Sequence, residues 1–186
     1  MKKHHALNNI RIVLSHTSHP GNIGAAARAM KTMGLERLFL VNPKAFPDPV
    51  ADARAAGASD VLENAQVCAS LDEALAGTVL AVAVTARRRD LSHEMLSAHQ
   101  ASPRMIELAA QGEVALLFGT EMSGLSNAEL DKCQLLVTIP ANPEFTSLNL
   151  ASAVQILAYE LHMAFLGAKE TPAAKAMEAA SFEDVE

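Results

Sequence analysis

Two uninterrupted apolar runs constrain the fold of this chain more than any other feature. The sequences VLAVAV at residues 79–84 and VALLF at residues 114–118 contain no polar side chain. A strand that is apolar on both faces is buried on both faces, which is typical of a parallel sheet covered by helices. We therefore expect an α/β fold, with a mostly parallel sheet and helices on both of its faces.

The rest of the chain alternates short apolar runs with stretches of helical periodicity, as such a fold requires. We predict further strands at residues 10–15, 37–43, 66–69 and 135–140. We predict helices at residues 22–33, 51–56, 71–77, 92–112, with an interruption at Pro103, and 149–167. Pro20 and Gly21 are expected to form a turn before the first of these helices.

Length and composition indicate one domain. The chain has 186 residues, half of them hydrophobic, which is enough to bury a full core. We place the domain at residues 1–167 and expect residues 168–186, which are poor in large apolar side chains, to form a linker or the start of an extension. Cys68 and Cys133 lack C-x-x-C spacing, which argues against a disulfide framework or a zinc cluster.

The sequence also predicts the cellular compartment. The amino-terminal stretch MKKHHALNN is charged and has no apolar segment of the kind found in secretory signals. No apolar run in the sequence looks long enough to span a bilayer. We therefore expect a cytoplasmic protein that has no membrane partner.

The charge of the chain is distributed unevenly. Its net charge is −6, which argues against a nucleic-acid partner because phosphate favours a basic surface. Residues 1–104, however, hold 12 Lys and Arg against 9 Asp and Glu, whereas the remaining residues hold 3 against 12. This separation is compatible with a basic face that binds RNA and equally with an ordinary uneven surface charge.

Polar residues follow three of the predicted strands at their carboxyl ends, in the sequences VTARRR, FGTEMSGL and IPANPEFTSLN. In an open α/β sheet the loops at this edge hold ligands. If the three loops converge, they make one pocket in which Thr85, Glu121, Ser147 and Asn149 stand over an apolar floor. A pocket of this kind suits an adenine-bearing cofactor.

The glycines of the sequence exclude two common nucleotide sites. The chain contains neither the G-x-G-x-x-G pattern of a dinucleotide-binding domain nor the G-x-x-x-x-G-K-[ST] pattern of a P-loop. Gly119 and Gly124 instead follow a buried strand. There the missing Cβ would allow the backbone to approach a flat ligand closely.

Each candidate side chain also has a purely structural interpretation. Ser147 or Asn149 would cap the last helix, and Glu121 would cap the backbone of its own loop. Arg28 would be a solvated helix residue. Arg87, Arg88 and Arg89 form either an exposed charged face or contacts to RNA phosphates, and we favour the RNA contacts. His16 and His19 have H-x-x-H spacing but no carboxylate or cysteine nearby in the sequence, so we expect no metal site there.

Three segments, in order, carry a family resemblance: NIGAAARAM, LLFGTEMSGLS and IPANPEFTSLNLASAVQILAYE. They resemble the sequence motifs of the SpoU/TrmH class of SPOUT RNA 2′-O-ribose methyltransferases, and the likeness extends over residues 9–166. Within that class the chain is most similar to bacterial enzymes that methylate a cytidine or uridine ribose of tRNA. The resemblance implies an α/β fold with a deep trefoil knot in its carboxyl-terminal part, S-adenosyl-L-methionine (SAM) as the cofactor, and no metal.

The resemblance also implies roles for individual residues. It gives catalytic or substrate-positioning roles to Arg28, Asn22, Glu121, Ser147 and Asn149. It assigns cofactor binding to residues of the three loops: Val84, Thr85, Ala86, Gly119, Ile139, Thr146, Ser147 and Leu148. In the family the arginine matched by Arg28 reaches the cofactor of the opposite subunit, which implies a homodimer with the active site at the subunit interface.

The implied substrate is tRNA, at the cytidine or uridine in position 32, the first nucleotide of the anticodon loop. The alternatives are a related enzyme that methylates ribosomal RNA or another tRNA ribose, and an RNA-binding protein of the same fold without turnover. Two departures from the family pattern affect the RNA contacts. Thr120 stands where close relatives often have arginine or proline, and such relatives usually carry a longer carboxyl-terminal extension.

Overall fold

The computed structural model describes residues 5–86 and 93–168. Within these residues the strands are β1 Ile10–Ser15, β2 Arg37–Val41, β3 Gln66–Cys68, β4 Thr78–Val84, β5 Glu94–Ser97, β6 Glu113–Phe118 and β7 Leu135–Thr138. The helices are α1 Pro20–Thr32, α2 Pro49–Ala55, α3 Ser59–Glu63, α4 Leu71–Leu75, α5 Ala98–Ala109, α6 Asn127–Asp131 and α7 Leu150–Gly167. Short 3₁₀ turns lie at Ala6–Asn9 and Ala56–Ala58.

The strands form one seven-stranded sheet in the order β3-β2-β1-β6-β4-β7-β5. Every pairing between neighbouring strands is parallel. All strand carboxyl ends therefore lie along one edge of the sheet, and β2, β1, β6, β4 and β7 occupy its interior. The predicted parallel sheet is confirmed.

Helices cover both faces of the sheet, as predicted. Alternate side chains of each strand point to opposite faces, so Ile12 and Leu116 belong to one apolar core and Val13 and Leu117 to another. The larger core packs against α1, α2, α3, α5 and α7, and the smaller core against α4 and α6. Burial on both faces explains why the central strands are uninterrupted apolar runs.

Two predicted boundaries are wrong. Pro20 and Gly21 are the first two residues of α1 and not a separate turn, because proline at the first helical position lacks only an N–H that would have no helical partner.

The segment 92–112 is not one broken helix. It contains β5 and then α5, and α5 starts at a capping box in which Ser97 and Gln100 bond each other's backbone. Pro103 lies inside α5.

Helix α7 overturns the expectation that no apolar run is long enough for a bilayer. Its 18 residues have a mean hydropathy of 1.3, so by length and composition it could span a membrane. Its inner face nevertheless packs into the protein core, where Val154, Leu157 and Leu161 are completely buried. A long apolar helix of this kind is also what a central core helix requires.

Candidate functional site: a cleft between three loops

The loops that follow β4, β6 and β7 meet at the carboxyl edge of the sheet and enclose an open cleft of about 610 Å³. An adjoining cleft of about 950 Å³ shares much of this lining. Phe118 at the end of β6, with Leu150 and Ala153 on α7, contributes apolar surface to the first cleft. The three loops that the sequence singled out are thus neighbours in space.

All eight predicted cofactor residues lie in these clefts. The first cleft is lined by seven of them: Val84, Thr85, Ala86, Gly119, Ile139, Thr146 and Leu148. Ser147, the eighth, lines the adjoining cleft. The Thr85 N–H donates a hydrogen bond of 2.9 Å to the Val137 carbonyl, which holds the first loop against the end of β7. That these residues bind a cofactor stays a prediction.

The loop after β6 folds back on itself. Thr120 and Gly124 exchange two backbone hydrogen bonds of 3.2 and 3.0 Å, and Gly124 has a φ of +67°. A Cβ on Gly119 would lie 2.2 Å from the carbonyl carbon of Gly124. Gly119 is therefore required by the closure of its own loop, which gives it a role that the sequence prediction of ligand approach did not include. The Thr120 hydroxyl pairs with that of Ser123 at 2.8 Å and closes the same loop.

Glu121 fastens this loop to the start of α1. Its carboxylate accepts hydrogen bonds from the Ser18 N–H at 3.1 Å, from the Ser18 hydroxyl and from the His19 N–H at 3.3 Å. The idea that Glu121 caps its own loop is therefore wrong, because its partners lie in the loop between β1 and α1. Glu121 also lines both clefts, so it connects them to the helix that carries Asn22 and Arg28.

Asn149 makes two contacts at the start of α7. Its Oδ1 accepts a hydrogen bond of 2.9 Å from the Ala151 N–H, so it is the helix cap that the structural interpretation predicted. Its Nδ2 lies 3.5 Å from Oδ1 of Asn22, near the start of α1. The same side chain thus caps one helix and contacts a second candidate residue.

The predicted arginines lie apart from this cluster. Arg28 is exposed on α1 and does not line either cleft of its own chain. Arg87, Arg88 and Arg89 lie outside the described residues, immediately after Ala86 in the sequence. The structure therefore brings Asn22, Glu121 and Asn149 near the cleft loops but leaves Arg28 outside them.

Sequence reasoning missed a second carboxylate that anchors the cleft loops. Glu129, on α6, accepts a hydrogen bond from the buried Ser15 hydroxyl, which also pairs with Nδ1 of His16 at 2.8 Å. The other carboxylate oxygen of Glu129 accepts the Ser126 N–H at 2.9 Å in a capping box. The S-x-x-E spacing of residues 126–129 is the signal that would have identified it.

His16 and His19, the histidines with H-x-x-H spacing, do not belong to a metal cluster in the described part of the chain. Among residues 5–86 and 93–168, no group of three or more His, Cys, Asp and Glu side chains is placed to hold a metal ion. His16 and His19 are both exposed. His16 contacts Ser15, and His19 presents its backbone N–H to Glu121.

The chain is similar to known RNA-modifying proteins over most of its length. It is 56% identical over 167 residues to the tRNA (cytidine/uridine-2′-O-)-methyltransferase TrmJ of Sodalis glossinidius, a match that covers 90% of this chain and 66% of the relative. It is also 56% identical over 164 residues to TrmJ of Salmonella typhimurium, covering 88% and 68%. The chain thus spans about two thirds of the length of these relatives.

Solved structures agree with this likeness. A probable methylase family protein from Haemophilus influenzae superposes with a TM-score of 0.84 and 46% identity, covering 93% of this chain and 73% of that one. A protein studied for 2′-OH methylation of C/U34 on tRNA superposes with a TM-score of 0.70 and 25% identity, covering 87% of this chain and 99% of that one. The SpoU methyltransferase AviRb of Streptomyces viridochromogenes, in complex with AdoMet (SAM), gives 0.69 at 21%, covering 86% and 62%, and shows the shared fold.

The family itself is identified by a match to residues 9–159, which include all seven strands and the first half of α7. The three motifs on which the resemblance was based lie within this region or overlap its end. This chain therefore belongs to the SpoU rRNA methylase family.

Proposed function

We propose that this chain is the catalytic part of a SAM-dependent tRNA 2′-O-methyltransferase that acts on the cytidine or uridine at position 32 of the anticodon loop. The observation that carries the proposal is the cleft at the carboxyl edge of the sheet, which is formed by the three predicted loops, two of which lie within the family motifs. The relatives at 56% identity bear the name of this activity.

The lining of the cleft fits SAM. Phe118, Ile139 and Leu150 offer apolar surface for an adenine ring, and the hydroxyls of Thr85 and Thr146 stand among polar loop backbone. When bound, SAM supplies an electrophilic methyl group on a positively charged sulfur.

The polar residues around the cleft hold the acceptor ribose in place. Glu121 and the Asn22–Asn149 contact fix the starts of α1 and α7 relative to the cleft loops. Such positioning contributes up to roughly 7–11 kcal/mol when it aligns two reacting groups. Ser147, exposed beside the cleft, offers a hydroxyl to the substrate.

Arg28 supplies a fixed positive charge. A guanidinium stays protonated in proteins and has no acceptor site for a proton, so it is a poor base. We assign removal of the 2′-OH proton to a phosphate oxygen of the RNA, which Arg28 orients and whose negative charge it offsets.

A homodimer reconciles this role with the exposed position of Arg28 outside its own cleft. In a twofold dimer the Arg28 of one chain reaches the cleft of its partner, so each active site contains residues of both chains. Helix α7 supports this arrangement because Tyr159, Met163 and Leu166 each remain nearly half exposed on it. An apolar helix face of this kind is suited to a subunit interface.

Further features are part of the same proposal. Residues 1–167 form the catalytic domain and residues 168–186 a linker or the start of an extension that helps bind tRNA. The carboxyl-terminal part of the domain forms the deep knot. Arg87, Arg88 and Arg89 contact RNA phosphates, and the protein works in the cytoplasm.

Methyl transfer to several RNAs tests the choice of substrate. The chain is incubated with radiolabelled SAM and with unmodified tRNA or ribosomal RNA, and the labelled nucleotide is mapped. Label on the ribose at position 32 is the expected result. Label at position 34, the site studied in one structural neighbour, or on ribosomal RNA would replace the proposed target. Failure to bind SAM at all would indicate a non-catalytic RNA-binding protein.

A further inference from the structure

The described Lys and Arg side chains fall into two groups. Of the eight in residues 5–86 and 93–168, five form ion pairs with a carboxylate: Arg11, Lys31, Arg37, Arg104 and Lys132. The other three are Arg28, Lys44 and Arg54, and none of them contacts an acidic side chain. All three are exposed.

Lys44 and Arg54 lie on segments beside the start of α1, and Arg28 lies two turns further along this helix. The Lys44 N–H, in the loop after β2, donates to the Thr17 carbonyl at 3.0 Å. The side chain of Arg54, on α2, packs beside Gly21. Its Cγ lies 3.8 Å from the position that a Cβ on Gly21 would occupy. Arg28 follows Gly21 by seven residues, or two turns, and therefore shares its face of α1 at a distance of about 10 Å along the axis. We call Lys44, Arg54 and Arg28 the cationic strip.

The cationic strip lies on segments that are connected to the cleft loops. Thr17 immediately precedes Ser18 and His19, whose N–H groups are held by Glu121. Gly21 immediately precedes Asn22, which contacts Asn149. Each of the three residues therefore lies on, or contacts, a segment that is joined to the cleft loops by a hydrogen bond; for Lys44 this contact is made by its backbone N–H.

The acidic residues of α2 do not cancel this charge. Asp48 uses its Oδ1 to accept the Val50 N–H at 2.8 Å, which caps the helix. Asp52 lies on the same helix two residues before Arg54, so it projects from a different side. Both carboxylates are without a salt bridge to Lys44 or Arg54.

We propose that Lys44 and Arg54 bind the phosphodiester backbone of the RNA substrate and, with Arg28, guide it across the start of α1 to the active site that Arg28 serves. Exposed cations without carboxylate partners are free to replace the counterions of RNA phosphates. Contacts of this kind set the position of an RNA without reading its sequence. This inference rests on the proposed function and adds binding residues to it, far in the sequence from Arg87, Arg88 and Arg89.

The test compares the removal of two positive charges from the cationic strip with the removal of two positive charges from ion-paired positions elsewhere. The variant is K44A/R54A, and the matched control is R104A/K132A, which also loses one lysine and one arginine but from ion-paired positions. Binding of fluorescently labelled unmodified tRNA is measured over a range of NaCl concentrations. SAM affinity, kcat and the KM for tRNA are measured on the same proteins.

We expect K44A/R54A to reduce the slope of log affinity against log salt by about 1.5 and to weaken tRNA binding roughly 25-fold at 0.15 M salt. The KM for tRNA rises, whereas SAM affinity and kcat at saturating tRNA stay close to wild type. The control is expected to change the slope by much less. K44R/R54K, which keeps both charges, is expected to restore the wild-type slope.

Several outcomes would overturn the inference. Equal slopes for K44A/R54A and wild type would show that these cations do not contact phosphate. Equal losses in K44A/R54A and R104A/K132A would show that only total charge matters. A wild-type chain that binds SAM but methylates no RNA contradicts the proposed function, and that result is separate from the comparison of salt slopes.

Discussion

At the scale of single residues, Asn149 shows that a structural and a functional interpretation need not exclude each other. The sequence allowed either a helix cap or a substrate-positioning residue at this place. The structure confirms the cap and adds the contact to Asn22 at 3.5 Å. A side chain with two roles calls for substitutions that separate them.

Two substitutions at Asn149 separate the roles. N149A removes the cap and should lower the free energy of unfolding by about 1 kcal/mol. N149S keeps a capping oxygen and should retain wild-type stability, but it cannot reach Asn22 and should lose most methyl transfer. Urea unfolding and single-turnover methylation measure the two effects. Full activity of N149S would reduce Asn149 to a helix cap.

Glu121 allows a similar test of the link between the cleft and α1. E121A leaves the Ser18 and His19 N–H groups without their acceptor and should cost about 1–2 kcal/mol of stability, while kcat/KM falls because α1 is no longer held beside the cleft. E144A is the matched control, since Glu144 is an exposed carboxylate on a neighbouring loop. An equal effect of the two substitutions would argue against the link.

A buried thiol predicts a pH dependence of stability. Burial, with the nearby charge of Glu129, raises the pKa of Cys133 from 9.0 to about 12. The native thiol keeps a proton that the unfolded chain releases, so the resulting stabilisation is complete below pH 9 and is lost as the pH rises toward 12. C133A should therefore lose less stability than wild type between pH 8 and pH 10.5. An equal decline in the free energy of unfolding of C133A and wild type, measured by urea unfolding, would contradict this prediction.

At the scale of elements, the sequence predicted the central strands and the edge strand β3 well, but it missed the edge strand β5 and two short helices. The uninterrupted apolar runs of β4 and β6 are strong signals, because only doubly buried strands need them. Strand β5 has four residues, lies at the sheet edge and leads directly into α5, so neither length nor a turn marks it in the sequence. Helices α3 and α6 have only five residues each and were also missed, although the S-x-x-E spacing of residues 126–129 marks the start of α6.

The position of the cleft could be predicted from the sequence because it is formed by loops that follow the carboxyl ends of strands. All loops that follow strands of a parallel sheet meet at one edge, so the cofactor residues of three distant segments were expected to converge. The partners of Glu121 could not be predicted, because they lie about a hundred residues away and depend on how the loops pack. The exposed position of Arg28 outside its own cleft likewise depends on tertiary structure alone.

The closed loop after β6 predicts that a substitution at Gly119 affects both stability and SAM binding. G119A places a Cβ against the Gly124 backbone, which must shift to accept it. We expect a loss of about 2–4 kcal/mol in stability and the loss of SAM binding, because the loop that lines the cleft opens. G57A is the control, since no atom lies within 4 Å of the place of its Cβ. Thermal unfolding and calorimetric SAM titration distinguish the two, and wild-type SAM affinity in G119A would contradict the expectation.

At the scale of the whole molecule, the proposed dimer makes each active site a product of two chains. T146W fills the cleft from an exposed loop position, and R28A removes the charge offered to the partner chain. Each variant alone should be inactive. After the two are mixed and allowed to exchange subunits, about a quarter of the sites should contain both intact parts. Recovery of activity supports a shared site, and no recovery in a mixture shown to contain mixed dimers would refute it.

Methyl transfer from radiolabelled SAM to unmodified tRNA, compared among wild type, R28A and T146W, tests the central claim most directly. We predict label on a ribose 2′-oxygen with wild type and a loss of about 100-fold or more with either variant. R28A should still bind SAM, whereas T146W should not. Undiminished ribose methylation by T146W would place the chemistry outside the cleft and contradict the account.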